Sequence, residues 1–493
     1  MCGILGVFGK LNKTESQFES MLQTLQHRGP DDKGTIMWSE FFLGHQRLSI
    51  VDPECGHQPI ESHDGIYLVC NGEIYNHQSL KNQLNYNFSS NSDCEVIIPL
   101  YQQKGSNFLK YLDGMFSFIL SKKDQFFVAR DPIGIKPLYW GFDDENIYFS
   151  SEIKALLNIT DRISEFPKGS YFDSNEGFKT YYQLPQVDVF ITDIDKAIEK
   201  IKKTLKKSVK KRLMSDVPVG VFLSGGLDSS IIAALMKEEI PELHSFSVGL
   251  SESPDIKAAR MVAQHLGTIH HEYVYSEDEM REVLADVIYY LESYDPALVR
   301  SAVPCYFVSK LASQYVKVVL SGEGADELFA GYSYFEEYDE PQELQPEFIR
   351  ILSGLHNINL QRVDRMTMAH GLEGRVPFLD IEFIENVLGL SPELKMQRSF
   401  GKEKWLLRKA FEDVLPAEIV WRDKLEFAQG CGSSTILEQK AAASITDKKL
   451  QKAKERGIPV SSKEELFYYN IFEHHFDHPD AINLIGKWKG KLH

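Results

Sequence analysis

No stretch of the 493 residues approaches the length of apolar sequence that a membrane span needs, roughly 18 residues, and the first residues show no basic-then-apolar leader pattern. A membrane partner is therefore not expected, and a cytoplasmic protein is. Positive charge is also short: 54 Lys and Arg stand against 71 Asp and Glu, a formal net charge of −17. That balance argues against a nucleic-acid partner held through its phosphates. One basic cluster runs from Lys202 to Arg212. Ile198, Ile201, Leu205, Val209 and Leu213 recur through it at helical spacing, so its lysines belong on the wet face of an amphipathic helix. Cysteine is sparse and scattered, at positions 2, 55, 70, 94, 305 and 431, with no C-x-x-C pair and no Cys/His cluster. This excludes a disulfide frame or zinc site and fits reduced thiols. His474-His-Phe-Asp-His478 looks like a metal tract, but an unpatterned polar tail is the expected reading. There is no internal repeat and no low-complexity run.

What is present is organised around Ser224-Gly225-Gly226-Leu227-Asp228-Ser229-Ser230. Before it, Val217-Pro-Val-Gly-Val-Phe-Leu223 reads as a buried strand; after it, Ile231-Ile-Ala-Ala-Leu-Met236 reads as the start of a buried helix. A strand–glycine turn–helix unit aims backbone N–H groups and the positive helix end at one spot, which suits phosphate. Asp228 has the wrong charge to touch phosphate directly and implies a bridging Mg²⁺. No lysine follows the glycines, so this is not the loop of γ-phosphoryl transfer. The loop instead resembles that of the ATP pyrophosphatase group, which splits ATP into AMP and pyrophosphate.

Downstream, His244–Leu250 and Val316–Leu320 read as strands and Asp255–Leu266 as a helix, an alternation that implies a parallel, doubly wound α/β sheet. The second strand runs into Ser321-Gly-Glu-Gly-Ala-Asp-Glu327, whose acids make Asp326 the second candidate magnesium ligand after Asp228.

The chain begins Met1-Cys2-Gly3-Ile4, and removal of Met1 is expected to leave Cys2 at the N-terminus. Its thiol and α-amine would then sit on one residue. The amine, titrating near about 7.7–8.0, can take the thiol proton. His27-Arg-Gly-Pro-Asp31, Arg47-Leu-Ser-Ile-Val51, Asn71-Gly-Glu-Ile-Tyr-Asn76, Ser92-Asp-Cys-Glu95 and Arg130-Asp-Pro-Ile-Gly-Ile-Lys-Pro137 follow in that order. Taken alone, Asn71-Gly72 is also a common hairpin turn.

Over residues 2–185 these runs resemble the glutamine amidotransferases of the N-terminal-nucleophile hydrolase class, an α+β fold of two stacked sheets covered by helices (αββα). The resemblance implies Cys2 as nucleophile, with the Asn71 side chain and Gly72 N–H as oxyanion hole. Arg47 would clamp the glutamine carboxylate, Leu48, Ser49, Ile50 and Val51 would line the site, and Glu73 and Asp93 would hold its ammonium. With Asp364-Arg365, Gly371–Asp380 and Lys402–Arg408, the second half resembles the glutamine-dependent asparagine synthetases, and the match reaches about residue 435.

That resemblance implies ATP as substrate. Leu223, Val248, Ser321 and Gly322 would contact adenine and ribose, and Ser224 to Ser230 would hold pyrophosphate. Glu323 would take a proton from attacking ammonia, and Lys424 would neutralise the phosphates. Glutamine and aspartate are the other substrates, and a homodimer is left open. The family usually has two threonines where Ala297 and Leu298 stand, so losing both hydroxyls puts the acceptor in question. Arg300 remains to pair a carboxylate. Amidation of a different carboxylate is thus the alternative. A catalytically silent relative would have lost Cys2, Asp228 or Glu323, and all three are present. The expected organisation is a glutaminase domain over 2–187, a synthetase domain over 193–440, and a tail over 441–493.

Overall fold

The structure, a computed structural model, describes residues 2–488 except 12, 124, 161 and 188. Met1, whose removal is expected, lies outside the described residues.

The first 180 residues build two six-stranded sheets. In one, Cys2–Gly9 lies antiparallel between Phe41–Arg47 and Asn146–Ser150, so its residues are buried almost throughout. In the other, Tyr67–Ile74 pairs antiparallel with Gly114–Lys122. Ile4, Phe8 and Leu43 from the first sheet pack on Val69, Ile119 and Val128 from the second. Helices lie outside, with Phe18 and Leu22 of Glu15–Gln23 buried on one side and Ile97, Ile98 and Leu100 of Ile97–Lys104 on the other. The stacked-sheet expectation holds.

The second half contains a five-stranded, all-parallel sheet in the order Ile269–Val274, His244–Gly249, Val219–Phe222, Val318–Leu320, Glu373–Arg375. Helices Leu227–Lys237, Pro254–Leu266 and Pro296–Ala312 connect or cover these strands, as a doubly wound arrangement requires. The basic cluster is the helix Ile194–Lys211, which buries Ala197, Ile201, Leu205 and Val209. Its Lys202, Lys206, Lys207 and Lys210 point outward to Asp413, Glu238, Glu382 and Glu239, a solvated face as expected. Among the described residues, no helix is long and apolar enough to cross a membrane.

The region around His474–His478 does not form an unpatterned polar tail. Lys463–His475 is a helix, capped where Ser462 accepts the Glu465 N–H, and it buries Leu466, Tyr469 and Phe472. Phe476 is buried beyond its end. The His478 side chain caps the next helix, Pro479–Asn483, and holds the Thr160 carbonyl of the first half.

Buried ion pairs join the two halves. Arg28 Nη1 donates to Glu152 at 2.6 Å and to Asp364 at 2.8 Å, while its Nε donates to the Cys2 carbonyl at 3.0 Å. Arg365 Nη2 reaches Glu292 at 3.0 Å, and Glu292 accepts the backbone N–H groups of Ile153 and Lys154. Removing one partner of such a pair costs about 3–5 kcal/mol because a charge is left buried and unpaired.

Two carboxylates make the assembly acid-labile. Glu165 is bound by Arg130 at 2.7 Å and His356 at 3.1 Å; Asp380 is bound by Arg212 at 2.8 Å and Lys211 at 2.5 Å. Burial pushes both up, but these cations outweigh it and hold each at about 2. Folded values below the unfolded ones mean stability present above about pH 4.5 and lost as pH falls toward 2, by about 3 kcal/mol per group at most. Urea midpoints should therefore fall steeply over that window. In Glu165→Gln the fall should be shallower; an equally steep one would contradict the assignment.

Candidate active sites

Cys2 opens the strand Cys2–Gly9, opposite Arg47 in register. Burial pushes its thiol up, opposed by the Leu48 amide and the Arg47 charge. The thiol therefore needs a base to become a thiolate. His45 is not that base: burial lowers it to about 3, and its Nε2 sits 3.2 Å from the Cys70 carbonyl oxygen. The Cys2 nitrogen donates to Asn71 Oδ1 at 3.0 Å, so the atom that becomes the α-amine is already oriented.

Asn71 and Gly72 lie inside the strand Tyr67–Ile74, paired with Ser117 and Phe116, and not in a hairpin turn. Strand pairing fixes Asn71 so that Oδ1 faces the Cys2 nitrogen. Its Nδ2 is a buried donor with no partner among the described residues, as a waiting oxyanion donor would be. A Cβ at position 72 would stand 2.1 Å from the Met115 carbonyl oxygen, so only glycine lets the strand lie this close.

Arg47 is held by backbone, with Nη2 2.6 Å from the Asp52 carbonyl oxygen and Nη1 3.2 Å from that of Pro53. No carboxylate among the described residues pairs with it. Leu48, Ser49 and Ile50 are buried beside it, and Val51 is half-buried. Glu73 and Asp93 are both buried, and burial raises both. Asp93 accepts the Ile74 N–H at 2.6 Å, and Glu73 lies 3.5 Å from Arg375 of the parallel sheet. Glu73 follows Asn71 by two positions on the strand Tyr67–Ile74, so its side chain leaves the same face of the sheet as the one bonded to the Cys2 nitrogen.

The second site is a cavity of about 650 Å³ at the C-terminal ends of the parallel strands. Leu223, Ser224, Gly226, Asp228, Ser229, Val248, Ser321, Gly322, Glu323, Asp326, Arg300 and Lys424 all line it. The helix after the glycines begins earlier than its apolar run suggests, at Leu227, so Asp228 stands in its first turn. Gly225 has a φ of +71°, and a Cβ there would meet the Ala259 nitrogen at 2.4 Å. Gly225 and Ser230 are absent from the cavity wall. The Ser230 hydroxyl turns back to the Gly226 carbonyl oxygen at 2.7 Å, and the Gly225 carbonyl accepts from Arg422.

The cavity's electrostatics rest on a residue to which sequence reading assigned no role. Lys404 Nζ lies 2.5 Å from both Asp228 and Asp326. Lys424 reaches Asp326 at 2.5 Å and the Gly331 carbonyl oxygen at 2.9 Å. Burial pushes Asp326 up, but the two lysines outweigh it and hold it well below the carboxylate range; burial raises Asp228, and Lys404 only partly offsets this. Asp228 Oδ1 is buried without a partner among the described residues. Among those residues no group of three metal-ligating side chains gathers. Two carboxylates with one open oxygen nonetheless suit a Mg²⁺ whose remaining ligands are phosphate oxygens and water. Glu323 pairs with Arg362, a second cavity residue that sequence reading missed. Ala297 and Leu298 face the same cavity, as do Ser301, Ser434 and Thr435.

Comparison with known proteins agrees with this two-site architecture. A family model described as a glutamine amidotransferase domain matches residues 1–195, and one described as asparagine synthase matches 200–348 and 336–492. The chain is 42% identical to asparagine synthetase B [glutamine-hydrolyzing] of Escherichia coli, over 98% of this chain and 93% of that one. It is 41% identical to asparagine synthetase [glutamine-hydrolyzing] 1 of Arabidopsis thaliana, covering 98% and 88%. With the probable asparagine synthetase of Schizosaccharomyces pombe the identity is 41%, covering 100% and 96%. Two matched domains and full-length similarity together place the chain: it belongs to the family of glutamine-hydrolysing asparagine synthetases.

Proposed function

We propose that the chain makes asparagine from aspartate, ATP and the amide nitrogen of glutamine, releasing glutamate, AMP and pyrophosphate. The observation that carries this reading is the sharing of one cavity by the Ser-Gly-Gly loop, Glu323 and Lys424. The same chain holds Cys2 against Asn71 at its other site.

At the first site, Cys2 passes its proton to its own α-amine and the thiolate attacks the glutamine side-chain amide. Asn71 Nδ2 and the Gly72 N–H receive the oxyanion, and as the C–N bond breaks the α-ammonium returns its proton to the departing nitrogen, which leaves as ammonia. Water then frees glutamate from the thioester. Arg47 takes the substrate carboxylate, and Glu73 and Asp93 its ammonium. At the second site, a β-carboxylate oxygen of aspartate attacks the α-phosphorus of ATP, and the bond to pyrophosphate breaks. The Ser224–Ser229 loop, Lys404 and Lys424 stabilise the departing charge. Ammonia crosses from the first site and attacks the β-aspartyl carbonyl carbon. Glu323, held in line by Arg362, takes its proton, and AMP leaves. Asp228 and Asp326 would hold Mg²⁺, which when bound neutralises phosphate charge. The six free cysteines support a cytoplasmic enzyme.

The test is acceptor identity. With ammonium and ATP, aspartate should drive AMP and pyrophosphate release, while glutamate, succinate and β-alanine support at most about a hundredth of that rate. A better acceptor among them would favour amidation of a different carboxylate, as the apolar Ala297 and Leu298 would permit.

A further inference from the structure

Beyond residue 430 the chain supplies part of the cavity wall, through Gln429, Ser434, Thr435 and Glu438. It also reaches Arg300, the cation read as the acceptor's partner. Arg300 stands on the helix Pro296–Ala312, and both oxygens of Glu464, from the helix Lys463–His475, bind one edge of its guanidinium. Arg300 Nε donates to Glu464 Oε1 at 2.8 Å, and Nη2 donates to Oε2. Glu464 is buried, and its Oε1 also accepts from the Tyr468 hydroxyl at 2.9 Å. The Ser433 hydroxyl holds the Arg300 backbone carbonyl at 2.9 Å. Arg300 itself lines the cavity, and its Nη1 makes no hydrogen bond among the described residues.

We propose that Glu464 is a positioning residue for the amino-acid acceptor, pinning one edge of the Arg300 guanidinium so that the other edge faces the cavity and takes the acceptor's carboxylate. The inference rests on the reading of Arg300 as the acceptor's partner. A guanidinium recognises a carboxylate through paired N–H groups, so its orientation matters as much as its charge. Ala297 and Leu298 bring no hydroxyl of their own to this wall, and Arg300 is the charged residue that the helix Pro296–Ala312 presents there. That side chain is long and would otherwise sample several rotamers. Glu464 is fixed by burial and by Tyr468, which shares its Oε1 with Arg300 Nε, so it can hold Arg300 without moving. Its own negative charge, and that of Glu438 at 4.0 Å from Nη2 in the cavity wall, oppose an incoming carboxylate, yet Glu464 leaves Nη1 unbonded among the described residues to meet it. The arrangement exchanges some attraction for a fixed geometry. The helices after residue 440 thereby become part of the synthetase site.

The test uses the full-length enzyme with ammonium as nitrogen source, varying aspartate and ATP separately. Glu464→Gln should lower kcat/KM for aspartate about tenfold or more, because misaligned reactants lose rate steeply. The KM for ATP and the glutaminase rate should not move. Glu464→Asp should recover part of the loss, and Tyr468→Phe should shift aspartate alone, by less. Should Glu464→Gln fail to fold, Tyr468→Phe and Glu464→Asp decide the matter. The inference is overturned if aspartate and ATP parameters fall together, or if kcat/KM for aspartate is unchanged or improved. Arg300→Lys separates the two layers. If it leaves the aspartate KM alone, Arg300 is not the acceptor's partner and the inference falls with that reading. If it raises that KM while the Glu464 and Tyr468 variants do not, only the positioning role of Glu464 is lost.

Discussion

Cys2→Ala should abolish glutamine-dependent synthesis, by a factor of about 10⁴ or more, because the reaction loses its only nucleophile. Ammonia-dependent synthesis should stay within about twofold, since none of Cys2, Arg47, Asn71 and Gly72 lines the second cavity. The structure favours this separation. What Arg28 holds at position 2 is the backbone carbonyl, which alanine retains, so the bridge to Glu152 and Asp364 survives the change. The change removes one sulfur atom from a buried side chain and leaves the backbone contacts of position 2 in place. Steady-state rates with glutamine and with ammonium chloride, measured on the same preparation, decide the outcome. Loss of both activities together would mean that the two sites are not separable.

Asp228→Asn should do the reverse. Synthesis from either nitrogen source should fall by about 10²–10³, the usual effect of removing one preorganised charge from a closed site. Glutamine hydrolysis should continue. The physical reason lies in the charge balance of the cavity. Asp228 and Asp326 face Lys404 and Lys424, two charges of each sign. Neutralising Asp228 leaves Lys404 on Asp326 alone and removes the carboxylate that carries the open Oδ1. Both the lysines' aim at the phosphates and the anchorage of Mg²⁺ then suffer. Pyrophosphate release and glutamate release, followed in parallel, separate this result from general unfolding, which would lower both.

How much of this was readable beforehand depended on whether the signal was local. The glycine loop adjoins one strand and the acids adjoin another, Val318–Leu320, so each was legible locally, and their meeting at one cavity followed from the alternation of strands and helices that puts both at the C-terminal ends of a parallel sheet. The amphipathic helix Ile194–Lys211 was legible for the same reason. Asn71-Gly72 was ambiguous because both faces of Tyr67–Ile74 are buried, so no alternation of polar and apolar residues continues the strand past Cys70. Lys404 could not have been assigned its role, since 176 residues separate it from Asp228 and only the folded chain brings them together. Arg300 was named for its charge, but Glu464 lies 164 residues away. The C-terminal helix is a different case. Ser462 followed by Glu465, with Leu466, Tyr469, Phe472 and Phe476 at near-helical intervals, was a usable signal overshadowed by three nearby histidines.

The central claim is that nitrogen freed at Cys2 is joined to an acyl adenylate made beside Asp228 in the same molecule. It is tested most directly by the products that the intact chain forms from glutamine, aspartate and magnesium ATP. The account predicts asparagine, glutamate, AMP and pyrophosphate in equal amounts. Cleavage of ATP to ADP and phosphate, or glutamate formed with no new amide, would contradict it.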